Sequence, residues 1–495
     1  MSGFTSRFAC AIDHNNKKVT PCLPNFPLMQ GSASCPLAHS LGLPICVRPA
    51  IMSNYPANQL DEKRMSAFQW WVIALCFVIN MLDGFDVLVM AFTASSVAAD
   101  WGLSGLRLGY LLSAGLVGMA IGSLFIAPWA DRFGRRPLIL VCIAVAGAGM
   151  LASSQATGPG MLAAFRFVTG LGIGGILASS YVIAGEYANK RWRGLAISLQ
   201  STAYALGATI GGVIAAKMIP ALGWRSVFLY GGFVTLAILP VLFLWLPESL
   251  AFLMSRKSDV AIKRINQLRL RVKLAPLDEM PESTHATRTS LRASFAQLFS
   301  PALLRSTLLI WVSFFLVMFG FYFVMSWTPR LLVTAGLSNE QGITGGVLLN
   351  VGGIFGTALV GLLAARFRLS KVLMIYLLTN ALLLAVFVKF TDALHLAFVL
   401  AVLIGIFVNG CVAGLYALTP SIYDASQRVT GLGWGIGIGR AGAIASPLVA
   451  GQLIDAHWNP SDLYLLFAMA FVLASIAVAL LGRSSLKPLH TATSL

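Results

Sequence analysis

Residues 80–90 read NMLDGFDVLVM and place two carboxylates, Asp83 and Asp86, in a long apolar run, with FQWWVIALCFVI before them and AFTASSVAA after. Three residues apart on a helix, the two side chains share a face, and Asn80 extends it. Low dielectric favours the neutral form of a carboxyl group; a like charge nearby adds to that preference, and a paired guanidinium opposes it. The chemistry open to such a pair is reversible proton binding. No histidine competes for the role, because His14, His39, His285, His395, His457 and His490 fall in termini, loops or the edges of apolar runs. Two arginines stand in comparable surroundings. Arg166 lies in the outer third of its own run, at a depth similar to the acids. An arginine facing lipid costs about 2.5–3.5 kcal/mol on insertion scales, so it should face a cavity and a partner. Two acids against one Arg166 leave an excess negative charge, which makes Asp83, Asp86 and Arg166 a proton-coupling set, with the choice between the two acids open. The plainer alternative is a structural Asp–Arg pair that fixes one helix against another. Arg440 lies near the middle of a further run with no acid beside it in the chain. Such a buried guanidinium invites an anionic ligand and can hold a carboxylate through two hydrogen bonds.

The elements that position these groups follow from composition. The chain has 495 residues, 57% hydrophobic and 11% charged, with a mean hydropathy of +0.80. Soluble proteins carry about 25% charged residues, so an all-α membrane protein with many spans is expected. A net charge of +17 could suggest a nucleic-acid partner. The basic residues instead fall in short clusters between apolar runs of about 20 residues, the length that crosses a bilayer, and no nucleic-acid partner is expected. The seven cysteines have no zinc spacing; Cys76, Cys142 and Cys411 lie in apolar segments. Gly437, Gly439 and Gly442 spell G-x-G-x-x-G, but inside one apolar helix and not at a strand–turn–helix junction. With no metal-ligand spacing, nucleophile elbow or phosphate loop, neither an enzyme nor a cofactor is expected.

Twelve candidate spans are predicted, at about 68–94, 107–130, 138–156, 161–186, 195–219, 224–246, 303–327, 341–365, 371–390, 394–420, 430–454 and 461–482. They divide into a bundle over 64–247 and a second over 303–484, with a central loop at 248–302 and a tail at 485–495. Residues 1–63 read as a disordered leader, with Met52 the preferred start. In the loop, Ala261, Ile265, Leu268 and Val272 form the stripe of an amphipathic helix lying against the cytoplasmic face. If the N-terminus is cytoplasmic, that side collects Arg132, Arg135, Arg136, Lys190, Arg191, Arg193, the basic loop, Arg366, Arg368, Arg428 and Arg483. The excess puts both termini inside. The segments WADRFGRRPLIL (129–140) and LAARFRLSKVLM (363–374) follow the second and eighth spans and share A-x-R-F. Such a repeat suggests a midplane site between two halves, opened alternately to either side.

ADRFGRRP (130–137), RFVTGLGIGG (166–175), GEYANKRWRG (185–194), LPESLAFL (246–253) and the run 423–447 resemble the major facilitator superfamily over about 64–484. The resemblance implies a major facilitator fold of 12 transmembrane helices in two six-helix bundles, working as a monomeric unit. It also implies a cytoplasmic gate that draws on Asp131, Arg132, Gly134, Arg135, Arg136, Glu186, Arg193 and Arg428. DGFD, with RFVTGLGIGG and GIGRAGAI, is similar to the aromatic acid:proton symporters, whose substrates include benzoates and hydroxybenzoates. That resemblance implies uptake of an aromatic carboxylate with a proton across the bacterial inner membrane, lipid being the other partner. Arg440, Asn80, Tyr322, Trp327, Asn409 and Tyr416 are the candidate substrate contacts, the aromatic residues supplying walls for a ring. The alternatives are a proton-coupled carrier of another organic solute, such as a sugar or a niacin-like acid, and an efflux antiporter. The lone Arg440 favours an anionic cargo over a neutral sugar.

Overall fold

The computed structural model describes residues 64–256, 259–272, 274, 276–277, 297–301, 303–387, 389, 393–424 and 427–484. The expected leader and its Met52 start, the tail and most of the second half of the central loop lie outside the described residues. Among these residues every regular element is a helix. Twelve long ones follow in order: α1 Ala67–Trp101, α2 Gly105–Ile121, α3 Arg135–Ser154, α4 Pro159–Tyr187, α5 Arg193–Leu222 and α6 Trp224–Ala237; then α7 Leu304–Thr334, α8 Asn339–Arg366, α9 Leu369–Phe387, α10 Leu394–Leu418, α11 Arg428–Asp455 and α12 Pro460–Ser484. α2 continues through a π turn at Gly122–Ile126, and α6 through Leu239–Trp245. Eleven of the twelve are long and apolar enough to cross a membrane. The other, α11, has 28 residues, more than the ~20 a crossing needs, but its apolar content is diluted by glycines and Arg440.

Local signals set the helix ends. α1 starts at a capping box in which Ser66 Oγ accepts from Gln69 N at 3.3 Å and Gln69 Oε1 accepts from Ser66 N at 2.8 Å. It stops at Gly102, whose φ of 57° suits a residue without Cβ. Twelve crossings return the chain to the side it started from, called here the terminal face; the opposite side is the distal face. The packing repeats itself after six helices. The pairs α1–α5, α2–α4 and α3–α6 recur as α7–α11, α8–α10 and α9–α12, and the two halves meet through α2 against α11 and α5 against α8.

In lipid, helices gain little from burying apolar surface against each other, so small residues that admit close contact carry the association. Gly84, between the two aspartates, is such a point: a Cβ there would overlap the carbonyl of Tyr204, and one on Gly207 would overlap that of Met81. α1 and α5 therefore touch backbone to backbone beside the acids. In the central loop, the helix Asp259–Arg271 buries Ala261 and Ile265 against the protein, so its apolar stripe faces the ends of the bundle.

The halves are closed against each other at the distal face. Asp455, at the end of α11, accepts from the N–H groups of Gly105 (2.6 Å) and Leu106 (2.9 Å) at the start of α2. Asn339 donates to Ser96 (3.0 Å), and Ser113 donates to the Ile444 carbonyl (2.9 Å). Toward the terminal face the halves stand apart: Gly433 and Gly437, on the Arg440 face of α11, are exposed, with nothing within 4 Å of an added Cβ.

Candidate functional site

The two acids of α1 are bonded differently. Asp86 is held by Arg166 of α4: Nη1 donates to Oδ1 at 2.9 Å, and Nη2 donates to Oδ2 at 3.3 Å and to the Asp86 backbone carbonyl at 2.8 Å. The Phe228 ring of α6 lies 5.8 Å from the guanidinium carbon, and Arg166 and Asp86 are only 3% and 5% exposed. Asp83, one turn earlier, is as buried, yet neither carboxylate oxygen has a hydrogen-bond partner among the described residues. Both acids border a void of about 20 Å³ shared with Ile143, Ile173 and Thr235, room for one water. Asp83 is also within electrostatic reach of Asp86 and, from the other half, Arg440. A charge without partners in such a place is far costlier than a neutral acid, so the two acids differ in surroundings: Asp86 is engaged by Arg166 and Asp83 is not.

Between the halves lies a cavity of about 210 Å³, the space of roughly seven waters at ~30 Å³ each. It is smaller than the ~300–1,000 Å³ pockets of drug-sized ligands. The second half contributes Tyr322 of α7, Asn409 and Tyr416 of α10, and Arg440 of α11; the first contributes Asn80, Tyr181, Ser201 and Tyr204. Arg440 makes no ion pair among the described residues. The Asn80 side-chain nitrogen lies within hydrogen-bond distance of three acceptors, Gln200 Oε1 (2.9 Å), Ser180 Oγ (3.0 Å) and the Cys76 carbonyl (2.9 Å). Tyr322 packs edge-on to Phe321 at 5.3 Å, and Tyr416 to Phe314 at 5.8 Å. The site offers one guanidinium, several hydroxyls and aromatic faces to a small ligand. Trp327 is not among the lining residues; it is wholly buried in α7, with no acceptor for its indole N–H among the described residues.

Comparison with known proteins agrees with this architecture. The family model described as Major Facilitator Superfamily matches residues 73–368. The chain belongs to the Major Facilitator Superfamily. It is a membrane transporter and not an enzyme, as its family and relatives are. It is 33% identical to a gallate transporter of Pseudomonas putida, over 88% of this chain and 96% of that one. It is 34% identical to a 4-hydroxybenzoate transporter of the same organism, over 86% and 94%. Among solved structures, the inward-open xylose transporter XylE of E. coli superposes with a TM-score of 0.65 at 17% identity, covering 83% of this chain and 96% of that one. That likeness is one of fold.

The transporter's terminal face carries the charged cluster expected from the sequence, with a different membership. Arg135, at the start of α3, pairs with Glu186 of α4 and donates to Ser249 Oγ (2.7 Å), which itself donates to Glu186 Oε2 (2.7 Å). Asp131 lies 3.8 Å from Arg135 and is largely exposed. Gly134 turns the chain at φ 107°. That turn frees the N-terminus of α3 for the Glu248 carboxylate, which accepts from the N–H groups of Arg135 (2.8 Å) and Arg136 (3.2 Å), where a helix end favours negative charge. The Arg136 guanidinium donates to the Phe243 carbonyl. Arg132 is exposed, its carbonyl taken by Arg256. Arg193 donates to the Gly185 carbonyl (3.2 Å), and Arg428 is bonded within its own half, to the Tyr423 carbonyl (3.1 Å). The geometry therefore does not join Arg428 to the Arg135 cluster. Glu248 and Ser249 are the members that residue-by-residue reading passed over. Their signal was the motif LPESLAFL (246–253), which carried the family resemblance without assigning either residue a role. Tyr181, Ser201 and Tyr204 were likewise missed; they recur on the inward faces of α4 and α5, among small residues.

Proposed function

We propose that this transporter imports an aromatic or closely related carboxylic acid together with a proton across the bacterial inner membrane, as a monomer and with both termini cytoplasmic. The observation that carries the reading is the pairing of Arg440, without an ion pair among the described residues, in an aromatic-walled cavity with a buried Asp83 nearby whose carboxylate has no hydrogen-bond partner among them. The relatives' substrates, gallate and 4-hydroxybenzoate, support the substrate class. The basic clusters at the terminal face support a cytoplasmic placement of that side, which makes this conformation inward-facing. In the cycle, Asp83 takes a proton while the site faces outward. The substrate carboxylate meets Arg440 and its ring lies among Tyr322, Tyr416 and Tyr204. The loaded carrier then closes at the distal face, where Asp455 seats on α2. Release of acid and proton on the basic side leaves Asp83 to be recharged after the return. The Asp86–Arg166 pair ties α1 to α4 throughout, so that the acid-bearing helix moves with its half. Arg135, Glu186, Asp131 and Glu248 act at the cytoplasmic side as a charge cluster whose pairs re-form as that side opens and closes.

Uptake of a panel of labelled aromatic acids into proteoliposomes, with and without a protonophore, tests the reading. Accumulation of a hydroxylated benzoate that collapses with the protonophore is the expected result. Accumulation insensitive to it refutes proton coupling, and transport of neutral sugars in place of acids refutes the role of Arg440.

A further inference from the structure

The two halves carry charge at the terminal face in different ways. In the first half Arg135 pairs with Glu186, with Asp131 and the Glu248 carboxylate beside it. The corresponding turn of the second half, between α8 and α9, has Ala365 in place of Asp131 and carries Arg366, Arg368 and Lys371. All three cations are exposed, and none makes an ion pair among the described residues. The described acids of the second half are Glu340, Asp424, Asp455 and Asp462, and of these only Asp424, just before α11, lies at the terminal face. The helices set where the cations stand. On α8, Phe355, Leu359, Leu362 and Arg366 are spaced to share one face, and all four are exposed. Gly353 and Thr357, which line the central cavity, lie two positions either side of Phe355 and so on the opposite side of the helix. On α9, Lys371, Ile375, Leu378 and Leu382 repeat the spacing and are exposed, while Val372, Leu373, Tyr376 and Leu377 are buried. In a membrane transporter such apolar stripes lie against acyl chains, and each ends at the terminal face in a cation. Phe367, 61% exposed, occupies the turn between them.

We propose that the α8–α9 turn is a binding site for an anionic phospholipid. The two stripes take the acyl chains, and Arg366, Arg368 and Lys371 meet the headgroup phosphate where the chains end. Cations beside a membrane attract anionic lipid, and a guanidinium takes phosphate through paired N–H groups. A zwitterionic lipid brings its own cation next to the phosphate and sets like charge against these three. A soluble anion uses the cations but not the stripes, so an anionic lipid is the occupant that uses both. The turn of the first half is not an equivalent site, because Asp131, Glu186 and Glu248 already supply negative charge there.

Crosslinking of the intact protein in phosphatidylcholine vesicles tests this. The probe is phosphatidylglycerol with a diazirine near its glycerol, a matched phosphatidylcholine probe reads the background, and label is mapped by peptide. Over residues 355–382 the phosphatidylglycerol label should exceed background severalfold and fall as unlabelled phosphatidylglycerol is added. Arg368→Gln should raise the amount of probe needed for half-labelling about fivefold, the worth of one cation at a charged surface. Exchanging Arg366, Arg368 and Lys371 together for Gln should bring the label to background. Ala365→Asp keeps every cation but restores the acid of the first half, and it should lower the label too, which reads the site independently of how the triple variant folds. Arg132→Gln, in the turn of the first half, should leave the label unchanged. Equal labelling by the two probes overturns the site, as does an excess that survives both the triple exchange and Ala365→Asp. An excess that soluble glycerol 3-phosphate removes as well as lipid does overturns it in favour of a free anion. An excess lost equally in Arg132→Gln overturns it in favour of general surface charge.

Discussion

Exchanging each acid of α1 for its amide separates two roles that share one helix face. Asp86→Asn removes the counter-charge of a guanidinium that is 3% exposed. Of the three contacts to Arg166, the two carboxylate ones at 2.9 and 3.3 Å lose their charge, and the backbone one at 2.8 Å survives. Breaking one side of a buried ion pair costs about 3–5 kcal/mol. The surviving carbonyl bond and the Phe228 ring put this case near ~3 kcal/mol, or roughly a hundredfold in the folded-to-unfolded ratio. Asp83→Asn removes no hydrogen bond and puts a neutral group of the same shape where a neutral acid is favoured, so its cost should stay within about 0.5–1 kcal/mol. Function should move the other way: Asp83→Asn keeps its fold and exchanges substrate across the membrane but no longer accumulates it. Adding Arg166→Gln to Asp86→Asn should recover much of the lost stability, because no buried charge is then left alone. Thermal midpoints of the purified variants, with paired uphill uptake and exchange assays in proteoliposomes, read both effects. Equal destabilisation by the two amides, or undiminished uphill uptake by Asp83→Asn, would refute the assignment.

Other substitutions test other parts of the site. Arg440→Gln should weaken equilibrium binding of the carboxylate by about ten- to a hundredfold while leaving the corresponding neutral amide unchanged; equal affinity for the acid in both proteins sinks the role. Gly84→Ala forces a methyl group into the Tyr204 carbonyl and should cost about 1–3 kcal/mol, measured as a lower thermal midpoint with unchanged membrane insertion. Asp455→Asn gives up a charge worth about 0.3–1 kcal/mol at the start of α2. It should therefore raise the distal-side reactivity of a cysteine placed at Ser96 severalfold, and no change in that reactivity would mean that Asp455 does not hold the distal face shut.

The sequence alone determined that this chain spans a membrane with α-helices, and it singled out Asp83, Asp86, Arg166 and Arg440. The reason is that the bilayer penalises every ionisable group heavily, so those that remain are conspicuous against an apolar background. It also placed most breaks between helices to within a few residues, since each apolar run ends near its helix, although the first and seventh helices run on past the expected 94 and 327 to Trp101 and Thr334. What it could not supply was which of the two acids meets Arg166. Asp83 and Asp86 look alike in the chain, and only the approach of α4, whose Arg166 is 80 residues from Asp86, gives one a partner and leaves the other bare. Trp327 and Tyr322 are likewise five residues apart in one apolar run, and the rotation of α7 against its neighbours puts Tyr322 on the cavity and Trp327 in the packing. Glu248, Ser249, Tyr181 and Ser201 resembled ordinary polar residues near span ends; their roles arise from groups brought to them by other helices. Hydropathy and capping are properties of one segment read alone, whereas a bonded partner or a shared cavity exists only after packing has fixed how each helix is turned, and that was decided by the tertiary structure.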